Sequence, residues 1–184
     1  MGGGIHCCLH YLDSCLHPTP VLHCHWWPLI SPELDRVIIE ICNKENVNEF
    51  LIKAFILTES NGNPWAVRFE PSWGYFVRLD EFSKLNMITR TTEMVLQATS
   101  WGPMQIMGSV SRELGFDGML TKLIDPSISL RLSVIKLKQL MSKYTLLDDV
   151  IAAYNAGHPE RKENGEYKNQ DYVTKVKQFT KGLH

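Results

Sequence analysis

The stretch from Asn48 to Ser60 (Asn-Glu-Phe-Leu-Ile-Lys-Ala-Phe-Ile-Leu-Thr-Glu-Ser), followed at once by Asn61-Gly62-Asn63-Pro64, constrains the fold more than any other part of the chain. Asn48 can cap a helix start with its side-chain oxygen. Glu49 sits where the positive end of the helix dipole favours an anion, and Leu51, Ala54, Phe55 and Leu57 form an apolar stripe. The Asn-Gly-Asn-Pro run stops the helix. Glu59 is therefore expected in the last turn of a buried helix, where desolvation and the negative end of the dipole both raise its pKa. A carboxyl group kept protonated near neutral pH can act as a general acid, and protonating a glycosidic oxygen requires one. The plain alternative is an exposed Glu at a helix end, the commoner fate of a Glu and the one that this stretch taken alone favours.

With 184 residues, 44% hydrophobic and 21% charged, the chain has the size for one well-buried core, so one compact domain is expected. The formal net charge is -1, and the one basic bias is in the tail, where residues 158–184 hold six Lys and Arg against four Asp and Glu. Neutralising phosphates needs a concentrated basic surface, so nucleic acid is disfavoured as a partner. The first thirty residues contain no Lys or Arg, four of the five cysteines (Cys7, Cys8, Cys15, Cys24) and five of the seven histidines. They lack the positive start and uninterrupted apolar centre of a secretory signal, and Pro18, Pro20 and Pro28 interrupt any membrane span. Cys and His are zinc-ligand types, but the C-x-x-C pairing common in structural zinc sites does not occur there. No metal and no cofactor is expected. Residues 1–28 read as a flexible Cys/His-rich extension in which Trp26-Trp27 can pack back on a domain spanning 29–184, with a monomer as the default.

From residue 31 the pattern is helical. Ser31-Pro32-Glu33 supplies an N-cap, a proline at the first helical position and an early acid, and Leu34, Val37, Ile38, Ile41 and Cys42 follow at helical spacing. Residues 64–89, rich in aromatics, show no clean period and read as a long loop with short helical or extended pieces. Gly102-Pro103 forces a turn, after which Met104 and Gln105 are expected to start a helix running through Val110 and Leu114. Asp125-Pro126 starts a long helix, apolar on much of its circumference, that is expected to be the central core element, with Lys136, Lys138 and Lys143 on its open side. Asp148-Asp149 opens a short helix of small residues ending at Gly157, and Gln170 to Lys181 forms the last amphipathic helix.

Four motifs in this order carry a resemblance: Glu59-Ser60 with Gly62-Asn63-Pro64, then Gly102-Pro103-Met104-Gln105, then Ala152-Ala153-Tyr154-Asn155-Ala156-Gly157, then Tyr172-Val173. Together they resemble the soluble lytic transglycosylase catalytic domain of the goose-type lysozyme-like superfamily, found in phage and bacterial peptidoglycan-degrading enzymes, and the resemblance covers about residues 31–180. It implies a mainly α, lysozyme-like single domain, with helices around a central buried helix and a substrate cleft. It makes Glu59 the catalytic acid and Ser60 its hydrogen-bonding neighbour. Met104 and Gln105 would line the cleft beside the sugar, Tyr154 and Asn155 would border the acid, and the Tyr172 hydroxyl would lie close to its carboxyl. Two departures stand out. Glu59 and Gln105 lie 46 positions apart, longer than in shorter members, so residues 64–98 form an insertion; and position 103 is Pro where many members carry an apolar residue.

The resemblance implies cleavage of the bond between N-acetylmuramic acid and N-acetylglucosamine. Glu59 would donate the proton, the substrate's 2-acetamido group would meet the developing charge, and Glu59, now a base, would draw a proton from the C6 hydroxyl to close a 1,6-anhydro ring. If water attacks instead, the same domain is a lysozyme-type hydrolase, for which Glu70, Asp80, Glu81 and Glu93 are candidate second carboxylates. A third reading keeps the fold as a non-catalytic glycan-binding or virion module. Trp73, Tyr75 and Trp101 can stack on sugar faces or pack in the core. The partner expected is the peptidoglycan glycan strand, met at the bacterial cell wall after phage-type release, export or virion delivery.

Overall fold

Capping chemistry fixes the first two helices. The structure, a computed structural model, describes residues 29–182, and the expected extension 1–28 lies outside them. Helix α1 (Pro32–Glu45) starts where Ser31 Oγ accepts from Leu34 N at 3.2 Å, and α2 (Glu49–Ser60) where Asn48 Oδ1 accepts from Phe50 N at 2.8 Å and Leu51 N at 3.3 Å. Asn61 ends α2 in the left-handed region at φ 53°. Gly62 follows at φ 82°, and a Cβ there would lie 2.0 Å from the Leu29 carbonyl oxygen, so that position admits only glycine without rearrangement.

Helix α2 is the central element, in place of the helix beginning at Asp125-Pro126. Every residue from Leu51 to Leu57 is buried, and Lys53 among them is held by Asp35 at 2.8 Å and Glu49 at 3.4 Å. It packs most extensively on α8 (Gln170–Lys181) and also on α1. Each fully buried Leu, Ile or Phe contributes about 1.5–3 kcal/mol, so α2 anchors the main core. The long helix α6 (Pro126–Lys143) is apolar on two faces for another reason: it divides two cores. Leu130, Val134, Leu137 and Leu140 join the main core, while Ile128 and Leu132 pack on a smaller one around Trp101, Ile106, Leu120 and Leu123.

The segment after α2 is more regular than its sequence suggests. Strand β1 (Val67–Phe69), helices α3 (Leu79–Leu85) and α4 (Arg90–Gln97), and strands β2 (Thr99–Trp101) and β3 (Ile106–Met107) form a small antiparallel sheet, in the order β1-β2-β3, with two short helices. No hydrophobic period marks α3 and α4 because their buried positions include Ser83, Glu93 and Gln97. Ser83 gives its hydroxyl to the Asp80 carbonyl at 3.2 Å, and Glu93 and Gln97 are satisfied in one network. Arg112, from α5 (Gly108–Glu113), meets Glu93 through Nε at 2.8 Å and Nη2 at 3.0 Å and gives Nη1 to the carbonyls of Phe116 and Gly118, each at 2.7 Å. Gln97 donates to Glu93 at 2.9 Å and brackets Val77, accepting its N–H and donating to its C=O, both at 2.8 Å. An irregular segment, residues 70–78, is thereby tied to the core.

The expected helix at Met104 begins only at Gly108, because Gln105 takes φ 51° and the chain turns into β3 first. A 3₁₀ turn (Leu120–Ile124) leads to α6, and α7 (Leu147–Ala156) precedes α8. The architecture is mainly helical and lysozyme-like, with one small sheet beside the helices. Among the described residues no helix is long and apolar enough to cross a membrane.

Candidate active site

A cavity of about 660 Å³ opens between the sheet and the ends of α2 and α7, and Glu59 lines it. Glu59 occupies the last turn of α2, partly buried, and its Oε1 accepts the Tyr172 hydroxyl proton at 2.5 Å. Burial pushes its pKa up. The Tyr172 hydrogen bond and the positive charges of Arg68 and Lys175 oppose that shift without cancelling it. Burial together with the neighbouring carboxylate drives Tyr172 far above its ordinary range, so its hydroxyl stays a donor. Tyr154 is also driven far upward, first by burial; its hydroxyl donates to the Met104 carbonyl at 3.0 Å and its ring lies 4.8 Å from Phe55. The Glu59 turn is thus backed by two aromatic side chains, one bonding the carboxyl and one bracing the turn that faces it.

The opposite wall is the sheet. Arg68 pairs across to Ser100 and Ser100 to Met107, and this row of three lines the cavity. Side chains alternate along a strand, so one row presents them to one face. Arg68 Nε reaches Glu70 Oε1 at 2.5 Å, and both line the cavity. Trp73 lines it as well, its indole N–H shared between the Tyr75 carbonyl at 2.7 Å and Ser109 Oγ at 3.0 Å.

Against known families, residues 36–176 match the Transglycosylase SLT domain. This chain belongs to that family. Its members cleave glycosidic bonds of peptidoglycan, so the SLT domain places the substrate in the bacterial cell wall. No curated protein and no solved structure matches the chain.

Within this SLT domain the residues expected at the site separate into three groups. Glu59, Gln105, Tyr154, Asn155, Trp73 and Tyr75 line the cavity, and Tyr172 touches the acid. Gln105, expected to offer its amide to a sugar, spends it internally: Nε2 donates to Ala66 O at 3.1 Å and Gly102 O at 2.8 Å, and Oε1 accepts from Ser100 at 2.9 Å. Its amide knots the turn to β1. Gly102 completes that knot at φ 71°, where a Cβ would fall 2.0 Å from Ser129 Oγ.

Three expected contacts lie elsewhere. Met104 is wholly buried in the main core, where an apolar side chain gains most, and only its carbonyl faces Tyr154. Trp101 is buried in the smaller core with its indole N–H on Leu96 O at 3.2 Å, because the alternation that turns Ser100 toward the cavity turns Trp101 away. Ser60 returns its hydroxyl to Ile56 O at 3.1 Å within its own helix. Of the four candidate second carboxylates, Glu93 is locked to Arg112, and Asp80 and Glu81 pair with Arg90 and Arg78 at the surface. Only Glu70 lines the cavity.

Sequence reasoning missed Arg68, Ser100, Glu113 and Lys136, all of them lining residues. A strand of three residues is too short to show alternation, and Glu113 and Lys136 meet only when α5 and α6 pack. Among the described residues no three His, Cys, Asp or Glu side chains gather as a metal site.

Proposed function

We propose that Glu59 cleaves the β-1,4 bond between N-acetylmuramic acid and N-acetylglucosamine by lytic transglycosylation. The observation that carries this reading is a single cleft carboxyl with its pKa raised by burial and its orientation fixed by the Tyr172 hydroxyl. A protonated Glu59 donates to the glycosidic oxygen as the bond breaks. The acetamido oxygen of the same muramic acid attacks C1 to give a cyclic, positively charged intermediate. Glu59, now a carboxylate, takes the C6 hydroxyl proton while that oxygen displaces the acetamido group, leaving a 1,6-anhydro end and restoring the acid. Arg68 and Lys175 stabilise the ionised form of Glu59 between these two steps.

One observation favours a second reading: Glu70 also lines the cleft, in contact with Arg68. If Glu70 directs a water to C1, the product is a reducing end. Digestion of purified peptidoglycan followed by mass analysis of the released muropeptides separates the outcomes. Ends lighter by one water support transglycosylation, reducing ends support hydrolysis, and no soluble product means a glycan-binding module.

A further inference from the structure

Besides Glu59, the cleft is lined by two ion pairs. Arg68 of β1 pairs with Glu70 just after that strand, and Lys136 of α6 pairs with Glu113 of α5, the helix that follows β3 in the chain. The two pairs differ in kind. Arg68 and Glu70 are in direct contact, whereas Lys136 Nζ is 3.9 Å from Glu113 Oε2, too long for a hydrogen bond. The Lys136 side chain is also the more sheltered of its pair, 24% exposed against 48%. The Lys136 ammonium therefore lines the cavity without a hydrogen bond to its counter-ion and is open to a second anion.

The sugars of the glycan strand are neutral polyols and acetamides and offer this ammonium no charge. The fixed negative charges of peptidoglycan lie on the peptide stems carried by the muramic acid residues. We propose that Lys136 receives a stem-peptide carboxylate, with Glu113 as its resting counter-ion, so that this enzyme favours strands whose stems carry free carboxylates. The inference rests on the peptidoglycan-cleaving reading above and adds a specificity determinant to it. A charge-assisted hydrogen bond in this half-sheltered position corresponds to roughly three- to tenfold in kcat/KM.

The test uses the full chain and two forms of one glycan polymer: stems with free carboxylates, and stems converted to neutral carboxamides with carbodiimide and ammonia. The wild type is expected to prefer the free form by roughly three- to tenfold. Lys136→Gln brings that ratio near one, and Glu113→Gln, which removes the competing anion, raises it. Opposite signs are the signature, since an ion pair that only supports the fold would move both variants the same way. A ratio near one in the wild type, an unchanged ratio in Lys136→Gln, or shifts of one sign in both variants overturns the proposal. Failure of the underlying reading is distinct, because neither polymer would then release cleaved muropeptides at all.

Discussion

Replacing Arg112 with Met probes how the cleft wall is held. The substitution leaves the Glu93 carboxylate fully buried with Gln97 as its hydrogen-bond donor, and it frees the carbonyls of Phe116 and Gly118. Breaking a buried pair from one side costs about 3–5 kcal/mol, because an uncompensated charge stays behind. In a domain of this size each kcal/mol lowers Tm by about 2–4 °C, so a fall of roughly 6–20 °C is expected. The loss also has a pH signature. An orphaned buried carboxylate holds a proton more firmly than the same group in the unfolded chain, so the deficit is largest at neutral pH and shrinks as the pH drops toward the ordinary carboxylate range. Adding Glu93→Gln to Arg112→Met removes the orphaned charge and recovers part of the stability. Because Gln97 brackets Val77 next to the cleft segment, KM for peptidoglycan should rise before kcat falls. Calorimetry at several pH values with steady-state kinetics reads all of this. A loss below about 1 kcal/mol, or one independent of pH, would refute the view that a desolvated ion pair holds this wall.

Other expectations follow from the acid and its turn. Glu59→Gln should cut turnover by about 10²–10⁴-fold with the fold intact by circular dichroism; residual activity near wild type would move the acid elsewhere. Since the folded pKa of Glu59 is raised, its charge weakens the fold above that pKa and not below the unfolded value, so Glu59→Gln should be the more stable protein at neutral pH, with the gap closing toward the ordinary 4.5 in denaturant titrations. Tyr172→Phe removes a hydrogen bond that lowers the Glu59 pKa, and the alkaline limb of the kcat/KM profile should move to higher pH; a shift to lower pH would contradict the bond's assigned effect. Gly102→Ala should destabilise by about 1–3 kcal/mol, as the new methyl meets Ser129 in a left-handed backbone, and a neutral result in thermal unfolding would show the turn to be loose.

The helices with strong end signals were legible in the chain because capping and periodicity are local. Ser31-Pro32, Asn48 and Asp125-Pro126 each begin a helix where their chemistry says one should begin, and Asn61 ends the helix that carries Glu59. The position of Glu59 in the last turn of a helix needed nothing beyond that stretch, although its burial did, and the four ordered motifs pointed to the SLT family that the chain belongs to. Packing decided the rest. Apolar residues around α6 could mean the centre of one core or the wall between two, and only the placement of α2 against α8 and α1 chose the second. Gln105 had an amide suited to a sugar, but a left-handed backbone turned it onto Ala66, Gly102 and Ser100. Glu93 resembled any other acid until Arg112, nineteen positions away, met it in a desolvated interior. Local sequence set which residues are helical and where the acid stands; long-range burial, which no short window contains, decided which polar groups face the substrate and which are spent holding the fold.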